Sequence, residues 1–210
     1  MGRLVGWSLT VALCCTLTSA ASAAPNRPLQ HLTLFTDSVG AALDFDSTAK
    51  EIVESGNRDL FELHPCVRLV RRGCMSHPPQ SVLHEIRELG RRLGPTVVVF
   101  VGYNDDAVSY RNGIPSVLKA LRNRGVEHVL WLTLHGLSRD YVDINRAIYA
   151  AEQRWRPLLK VLDWNHYSAG RRSWYGSDGI HMSAAGAMGF ALYLHRSLKR
   201  LGFTGPLPAG

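Results

Sequence analysis

An aspartate and a histidine three residues apart, Asp178 and His181, could do chemistry in this 210-residue chain. An aspartate at that spacing can hold one imidazole nitrogen and leave the other free to take a proton from a serine elsewhere in the fold. Ser38 follows the first apolar stretch after the N-terminal segment, and a helical pattern follows it. These residues predict a serine nucleophile with a histidine base. Two ordinary alternatives stay open, a helix-capping Ser38 and a solvent-exposed His181 in a turn.

A further polar group follows another apolar stretch. Asn104 comes shortly after residues 97–101, which are continuously apolar. Its side-chain amide could donate a hydrogen bond to the negative charge that develops on an attacked carbonyl oxygen. His135 also follows an apolar stretch, and it is interpreted either as a neighbour of the site or as a satisfied core residue.

Other reaction classes lack their motifs. Residues 36–40 lack the first glycine of the Gly-x-Ser-x-Gly elbow. His84 and Glu85 begin like a zinc-protease helix, but Glu88 stands where the second histidine must be. The sequence contains no phosphate-binding loop and no dinucleotide fingerprint. It therefore predicts no metal and no cofactor.

Apolar stretches of strand length alternate with amphipathic stretches of helical length. We predict strands over 31–36, 67–70, 96–101, 127–133 and 158–162, and helices over 39–54, 81–93, 114–123, 141–155 and 184–201. This alternation predicts an α/β fold, a five-stranded parallel sheet with helices on both faces. Ligands gather at the carboxyl ends of such strands, the position shared by Ser38, Asn104, His135 and Asp163.

The N-terminal segment is typical of an export signal. Arg3 precedes the mostly apolar stretch 4–17, and a small-residue cleavage pattern, Ala-Ser-Ala, follows at 21–23. We predict a signal peptide over 1–24, one domain over 25–201, a flexible tail over 202–210, and a secreted or cell-envelope location. A retained membrane anchor is the alternative, although the apolar stretch is short for a bilayer span.

Signal cleavage would leave two of the four cysteines, Cys66 and Cys74. Two cysteines eight positions apart in an exported chain predict a disulfide, with two free buried thiols as the alternative. The charge is basic, with 24 Lys and Arg against 17 Asp and Glu, a formal net charge of +7. Its arginine pairs are scattered, which favours a solvated surface over a nucleic-acid track and is compatible with attraction to an anionic cell envelope.

The candidate fragments resemble the sequence blocks of the SGNH (GDSL-type) hydrolases. Residues 36–38 look like the first block, 102–105 like the third and 178–181 like the fifth. Residues 161–164 and 176–186 are similar to SGNH domains of exported actinobacterial proteins. The resemblance implies the flavodoxin-like, three-layer α/β/α fold of that family.

The resemblance also implies roles for individual residues. Ser38 would be the nucleophile, His181 its base and Asp178 the group that orients the base. The oxyanion hole would combine the Ser38 amide, the Asn104 side chain and a glycine amide of the second block. Gly73 fits the place of that glycine after the predicted second strand, and Gly56 fits it less well. The first-block glycine of the family is Thr36 here, which adds a side chain close to the nucleophile.

The resulting expectation is a secreted serine ester hydrolase that acts without a metal on short-chain acyl or O-acetyl esters, carried by a small molecule or a glycan. An O-acyltransferase using the same residues is one alternative. A non-catalytic, carbohydrate- or envelope-binding module with the same fold is the other, favoured by Thr36 and opposed by the intact Ser38 and His181. We expect no nucleic-acid partner and no stable membrane insertion after signal cleavage.

Overall fold

The computed structural model describes Gly2 and residues 30–55 and 57–203. Apart from Gly2, the predicted signal peptide lies outside the described residues, as do Gly56 and positions 204–210 of the predicted tail. Within the described part, no helix is long and apolar enough to cross a membrane. Phe203, at the start of the predicted tail, packs against the domain: its amide donates to the Leu198 carbonyl at 2.8 Å.

Five parallel strands form one sheet, which confirms the predicted fold class. They are β1 (Gln30–Thr36), β2 (Asn57–Leu63), β3 (Thr96–Phe100), β4 (His128–Leu132) and β5 (Leu159–Leu162). Their order across the sheet is β2-β1-β3-β4-β5. The strand order therefore reverses between β1 and β3, where Thr36 pairs with Phe100. In open parallel sheets, ligands bind at such a switch point, beyond the carboxyl ends of the two strands.

Six α-helices accompany the sheet within the described residues. They are α1 (Ser47–Glu54), α2 (Val82–Leu89), α3 (Ala107–Arg122), α4 (Arg139–Arg154), α5 (Trp164–Ser168) and α6 (Ala184–Arg200). Helix α1 packs against α6, while α2 packs against α3 and α3 against α4. These two groups cover the two faces of the sheet. Ser183 caps α6 as a serine at that position should, since its Oγ accepts from the Gly186 amide at 3.3 Å.

The second strand was predicted wrongly. Residues 67–70 are not a strand; β2 is the preceding and more polar segment Asn57–Leu63. Because β2 is an edge strand that pairs only with β1, it tolerates charged residues that a central strand would exclude. Val67 and Leu69 are nevertheless buried, and the Asp105 carboxylate accepts a hydrogen bond from the Leu69 amide.

Two helices also differ from prediction. The segment predicted as one helix over 39–54 begins as a 3-10 helix, Gly40–Phe45, and α1 starts only after Asp46. Asp46 accepts a hydrogen bond from the Ala49 amide at 3.0 Å and so caps α1. Helix α3 starts at Ala107 rather than at 114, because Asp106 accepts from the Ser109 amide at 2.8 Å and caps it. The short helix α5 was not predicted.

The core lies on both faces of β3. All five residues of β3 are buried, as its continuously apolar sequence predicts. Phe100 stacks on Phe190 of α6 with ring centroids 5.1 Å apart, and it meets Trp164 edge to face at 6.3 Å. This packing holds α5 and α6, and the loop between them, against the carboxyl end of β3.

Candidate active site

Ser38 lies at the carboxyl edge of the sheet, two residues beyond the end of β1 and directly before the turn into the 3-10 helix. It is half-buried, whereas the neighbouring Asp37 and Val39 are buried. Its hydroxyl is therefore held by rigid neighbours and remains reachable from solvent.

Ser38, His181 and Asp178 form a continuous chain of hydrogen bonds. Nε2 of His181 lies 2.9 Å from Oγ of Ser38, and Nδ1 of the same ring lies 2.6 Å from Oδ2 of Asp178. The hydrogen bond with His181 lowers the pKa of Asp178 to about 2, and two backbone amides act in the same direction. With an ionised Asp178 on Nδ1, Nε2 is the nitrogen that can accept the serine proton.

The loop that carries His181 is closed by its own backbone. Tyr175 and Met182 form an antiparallel bridge, and the Gly176 amide donates to the His181 carbonyl at 2.8 Å. Oδ1 of Asp178 accepts from the His181 amide at 3.0 Å, which fixes the distance between the two residues. Gly179 has a φ of 69° inside this turn, a backbone conformation that glycine adopts without strain. The sequence Asp-Gly-x-His therefore suits a turn that holds the carboxylate against the imidazole.

Asp37 joins the turn that carries Ser38 to the end of β3. Its Oδ1 accepts from the Val39 amide, and its Oδ2 accepts from the amides of Gly102 and Tyr103, each at 3.1 Å. Burial raises the pKa of Asp37 to about 6, although these three hydrogen bonds favour the ionised form. Sequence reasoning treated Asp37 only as part of a block, but it fixes Ser38 relative to the segment that carries Asn104.

Asn104 lies beyond the carboxyl end of β3, as predicted, on the neighbouring side of the switch point. Its Nδ2 donates to the Val67 carbonyl at 3.4 Å, a long hydrogen bond that a stronger acceptor could replace. Its backbone carbonyl accepts from Nε of Arg68 at 2.7 Å. The segment after β2 and the segment after β3 are thus fastened together beside Ser38.

The predicted oxyanion role of Gly73 does not fit its surroundings. The Gly73 amide donates to the Pro79 carbonyl at 3.0 Å, so it is already engaged within its own loop. The prediction assumed that the second strand ended at residue 70, whereas β2 ends at Leu63. Gly56 precedes β2 and lies outside the described residues.

Cys66 occupies the place after β2 that sequence reasoning assigned to Gly73. The His64 amide donates to the Thr36 carbonyl at 3.1 Å, which brings this turn beside the turn that carries Ser38. Cys66 has a φ of 67°, a left-handed conformation typical of glycine. Among the described residues, none accepts a hydrogen bond from the Cys66 amide. The sequence did not indicate this position, because the residue expected there was a glycine and the residue present is a cysteine.

The predicted disulfide between Cys66 and Cys74 is present, with Cα atoms 5.4 Å apart. The Cys74 amide also donates to the Cys66 carbonyl at 3.3 Å. Sγ of Cys74 lies 3.5 Å from Oδ1 of Asn104. The disulfide therefore contacts the candidate oxyanion side chain directly and closes the loop that contains Gly73.

The Thr36 side chain packs against Gly40. Thr36 is buried, and a Cβ atom added to Gly40 would overlap its Oγ1. The absence of a side chain at Gly40 therefore makes room for the Thr36 side chain.

His135 and Asp163 also lie beyond strand ends but are not part of the hydrogen-bonded triad. Nδ1 of His135 lies 2.8 Å from Oγ of Ser168, and its ring stacks on Tyr175 with centroids 4.0 Å apart. Burial lowers the pKa of His135. Asp163 caps α5 by accepting from the His166 amide at 3.0 Å. His135 therefore contacts, through Tyr175, the loop that carries His181.

The chain matches no protein-family model and no curated protein. Solved structures share its fold. A protein from Slackia heliotrinireducens assigned as an SGNH hydrolase is 15% identical, with 81% of this chain and 99% of that chain covered and a TM-score of 0.57. A family 3 carbohydrate esterase from Talaromyces cellulolyticus is 15% identical, with 82% of this chain and 98% of that chain covered and a TM-score of 0.55. An acetyl esterase variant with an acetate ion is 13% identical, with 82% of this chain and 98% of that chain covered and a TM-score of 0.58. At these identities the likeness establishes the α/β fold of SGNH hydrolases alone.

Proposed function

We propose that this chain is a serine ester hydrolase with Ser38 as nucleophile, His181 as base and Asp178 as the orienting acid. The observation that carries the proposal is the hydrogen-bonded line from Ser38 Oγ through both ring nitrogens of His181 to Asp178 Oδ2. A serine that only caps a helix, or a histidine that only faces solvent, would not need a partner 143 positions away in the sequence, as Ser38 and His181 are. The shared fold of the solved esterases adds support.

In the proposed reaction, His181 Nε2 takes the proton of Ser38 as Oγ attacks the acyl carbon. The carbonyl oxygen becomes an oxyanion, and the carbon–oxygen bond to the alcohol breaks as His181 returns the proton to the leaving alkoxide. Water then attacks the acyl-serine while His181 takes a proton from it. The bond between the acyl carbon and Ser38 Oγ breaks, His181 returns the proton to Ser38, and the acid leaves. Asp178 stays ionised throughout, which is consistent with its low pKa.

Three donors are proposed for the oxyanion. The Ser38 amide lies in the turn before the 3-10 helix, Asn104 Nδ2 comes from the end of β3, and the Cys66 amide comes from the turn after β2. The Cys66 amide replaces Gly73 in this role, because Gly73 already donates to Pro79. Fixed donors of this kind stabilise charge that appears only as the reaction proceeds.

The substrate we propose is a short acyl group, such as O-acetyl, carried by a larger alcohol such as a glycan. The side chains of His181 and Asp178 are 54% and 47% exposed, so a bulky leaving group can reach them without entering a deep cavity. The solved neighbours include an acetyl esterase and carbohydrate esterases. Transfer of the acyl group to a sugar would use the same residues.

The non-catalytic alternative rests on Thr36, whose side chain packs against Gly40. The hydrogen bonds that join Ser38, His181 and Asp178 favour the hydrolase over this alternative. We also propose an exported location, supported by the Cys66–Cys74 disulfide, because such bonds persist mainly in oxidising compartments.

Hydrolysis of 4-nitrophenyl acetate by wild type, Ser38→Ala, His181→Ala and the double variant tests the proposal. Each single substitution should lower kcat/KM by roughly a thousandfold or more, and the double variant should be little worse, because the residues act as a unit. Ser116→Ala, an exposed serine on α3, is the matched control and should behave as wild type. Full activity in Ser38→Ala would refute the assignment.

A further inference from the structure

A second cluster of chemically active side chains lies at the carboxyl end of the edge strand. It consists of Glu62 in β2, His64 directly after β2 and Glu85 in the first turn of α2. One donor atom from each side chain lies within 4.8 Å of the other two. None of the three takes part in the proposed hydrolysis.

We propose that Glu62, His64 and Glu85 bind a divalent transition-metal ion such as Zn²⁺. Imidazole nitrogen and carboxylate oxygen are both ligands that Zn²⁺ accepts, at bond lengths of about 2.1 Å. Tetrahedral coordination at that length separates neighbouring donor atoms by about 3.4 Å. Nε2 of His64 lies 3.0 Å from Oε2 of Glu62 and 3.5 Å from Oε1 of Glu85. Two of the three donor–donor distances therefore already match a coordination shell.

The charge of the cluster also favours a cation. Within the described part of the chain, His64 is the only basic side chain paired with either carboxylate. Oε2 of Glu85 is buried and has no hydrogen-bond partner among the described residues. A divalent ion would balance the two carboxylates and occupy the unsatisfied oxygen.

The ligands are held by regular structure. The Ser81 hydroxyl accepts from the His84 amide at 3.2 Å and caps the helix that carries Glu85. The His64 amide is fixed on the Thr36 carbonyl, and the side chain of His64 is 41% exposed, which leaves one side of the cluster open to a water ligand. The bound ion would tie β2 to α2 and fix the turn that leads to Cys66. This site is structural, and no metal takes part in the proposed ester chemistry.

Residues 84–88 begin like a zinc-protease helix, but the second histidine is missing, so the sequence predicted no metal. The fold supplies different partners, because it brings Glu85 to two residues of another element. Positions 62 and 64 lie on the same side of an extended segment, a spacing at which both side chains can bind one ion.

Titration of Zn²⁺ into the chelator-treated, untagged chain tests the site. Wild type should bind one Zn²⁺ in the micromolar range or tighter, and its melting temperature should rise. Glu85→Gln and His64→Ala should each weaken binding at least tenfold and abolish the rise. Glu85→Gln resembles the protonated side chain and should fold; Glu62→Gln is a further variant with the same expected loss. His77→Ala, an exposed histidine of the following loop, is the matched control and should bind as wild type.

Replacement of Zn²⁺ by Co²⁺ gives a second readout that is independent of activity. The visible absorption of bound Co²⁺ should be present in wild type and in His77→Ala, and lost in His64→Ala. A simple ion-pair cluster would give no binding in wild type, or equal binding in every variant. Either result would overturn the proposal and would leave the proposed ester hydrolysis unaffected.

Discussion

Sγ of Cys74 lies 3.5 Å from Oδ1 of Asn104, so the disulfide supports the side chain that is proposed to donate to the oxyanion. The other cysteine of the disulfide, Cys66, lies in the turn after β2. Its own backbone amide has no hydrogen-bond acceptor among the described residues. The Cys66–Cys74 bond therefore connects the stability of the loop between these cysteines with the geometry of the proposed oxyanion site.

Reduction of the disulfide should lower both stability and turnover. Loss of a cross-link over a short loop costs about 2 to 3 kcal/mol of unfolding free energy. The turn at Cys66 would also relax, which should reduce kcat more than it raises KM, because oxyanion donors act on the transition state. Urea unfolding and steady-state kinetics of Cys74→Ser and of reduced wild type measure both effects. Two free thiols by mass spectrometry in exported protein, or unchanged kcat after reduction, would contradict this account.

Asn104→Ala should lower kcat by roughly a hundredfold or more, as expected for one lost oxyanion donor. The melting temperature should change little, because the hydrogen bond from Asn104 Nδ2 to the Val67 carbonyl is long, at 3.4 Å. Asn123→Ala, at the end of α3, serves as a control for asparagine substitution away from the site. If Asn104 were only a structural turn residue, the variant would melt early and its folded fraction would keep normal kcat.

Asp178→Asn should keep the fold and lose most of the turnover. An amide in place of the carboxylate can donate to Nδ1 of His181, which would move the ring proton to Nε2 and leave Ser38 facing a donor instead of a base. We expect a loss in kcat of about a thousandfold or more. Kinetics and circular dichroism of Asp178→Asn and of Asp143→Asn, a partly exposed aspartate on α4, provide the comparison. Activity near that of wild type in Asp178→Asn would exclude the orienting role.

Asp37 should make stability depend on pH. Its pKa is raised from 3.8 to about 6 in the folded protein, so the folded state holds its proton more tightly than the unfolded chain. The contribution of Asp37 to the free energy of unfolding is therefore largest below about pH 4. It falls by up to roughly 3 kcal/mol as the pH rises to about 6. The difference in unfolding free energy between wild type and Asp37→Asn should fall over that range. A difference that stays constant or rises with pH would contradict the burial effect.

The sequence was sufficient where a local pattern decides the structure. The continuously apolar residues of β3 have the burial of a central strand, and Asp178 and His181 form the contact that their spacing suggested. It was insufficient where the decision depends on distant partners. β2 has a polar composition that only its place at the sheet edge permits. The amide of Cys66 and the partners of Asp37 depend on neighbouring strands, and no local pattern marks them.

The cluster of Glu62, His64 and Glu85 and the packing of Thr36 illustrate the same limit. Glu85 meets Glu62 and His64 only because α2 packs beside the end of β2. The Thr36 side chain has room because Gly40, four residues later, carries no side chain where the two residues meet. In both cases the residue type was visible in the sequence, but its neighbours were not.

Covalent labelling of Ser38 tests the central claim most directly. A fluorophosphonate ester should phosphonylate wild type once, at Ser38, with loss of 4-nitrophenyl acetate hydrolysis in proportion to labelling, because His181 activates this hydroxyl. Peptide mass spectrometry locates the adduct, and His181→Ala should react far more slowly. Labelling at another residue, or hydrolysis that persists in fully labelled protein, would contradict the assignment of Ser38 as the nucleophile.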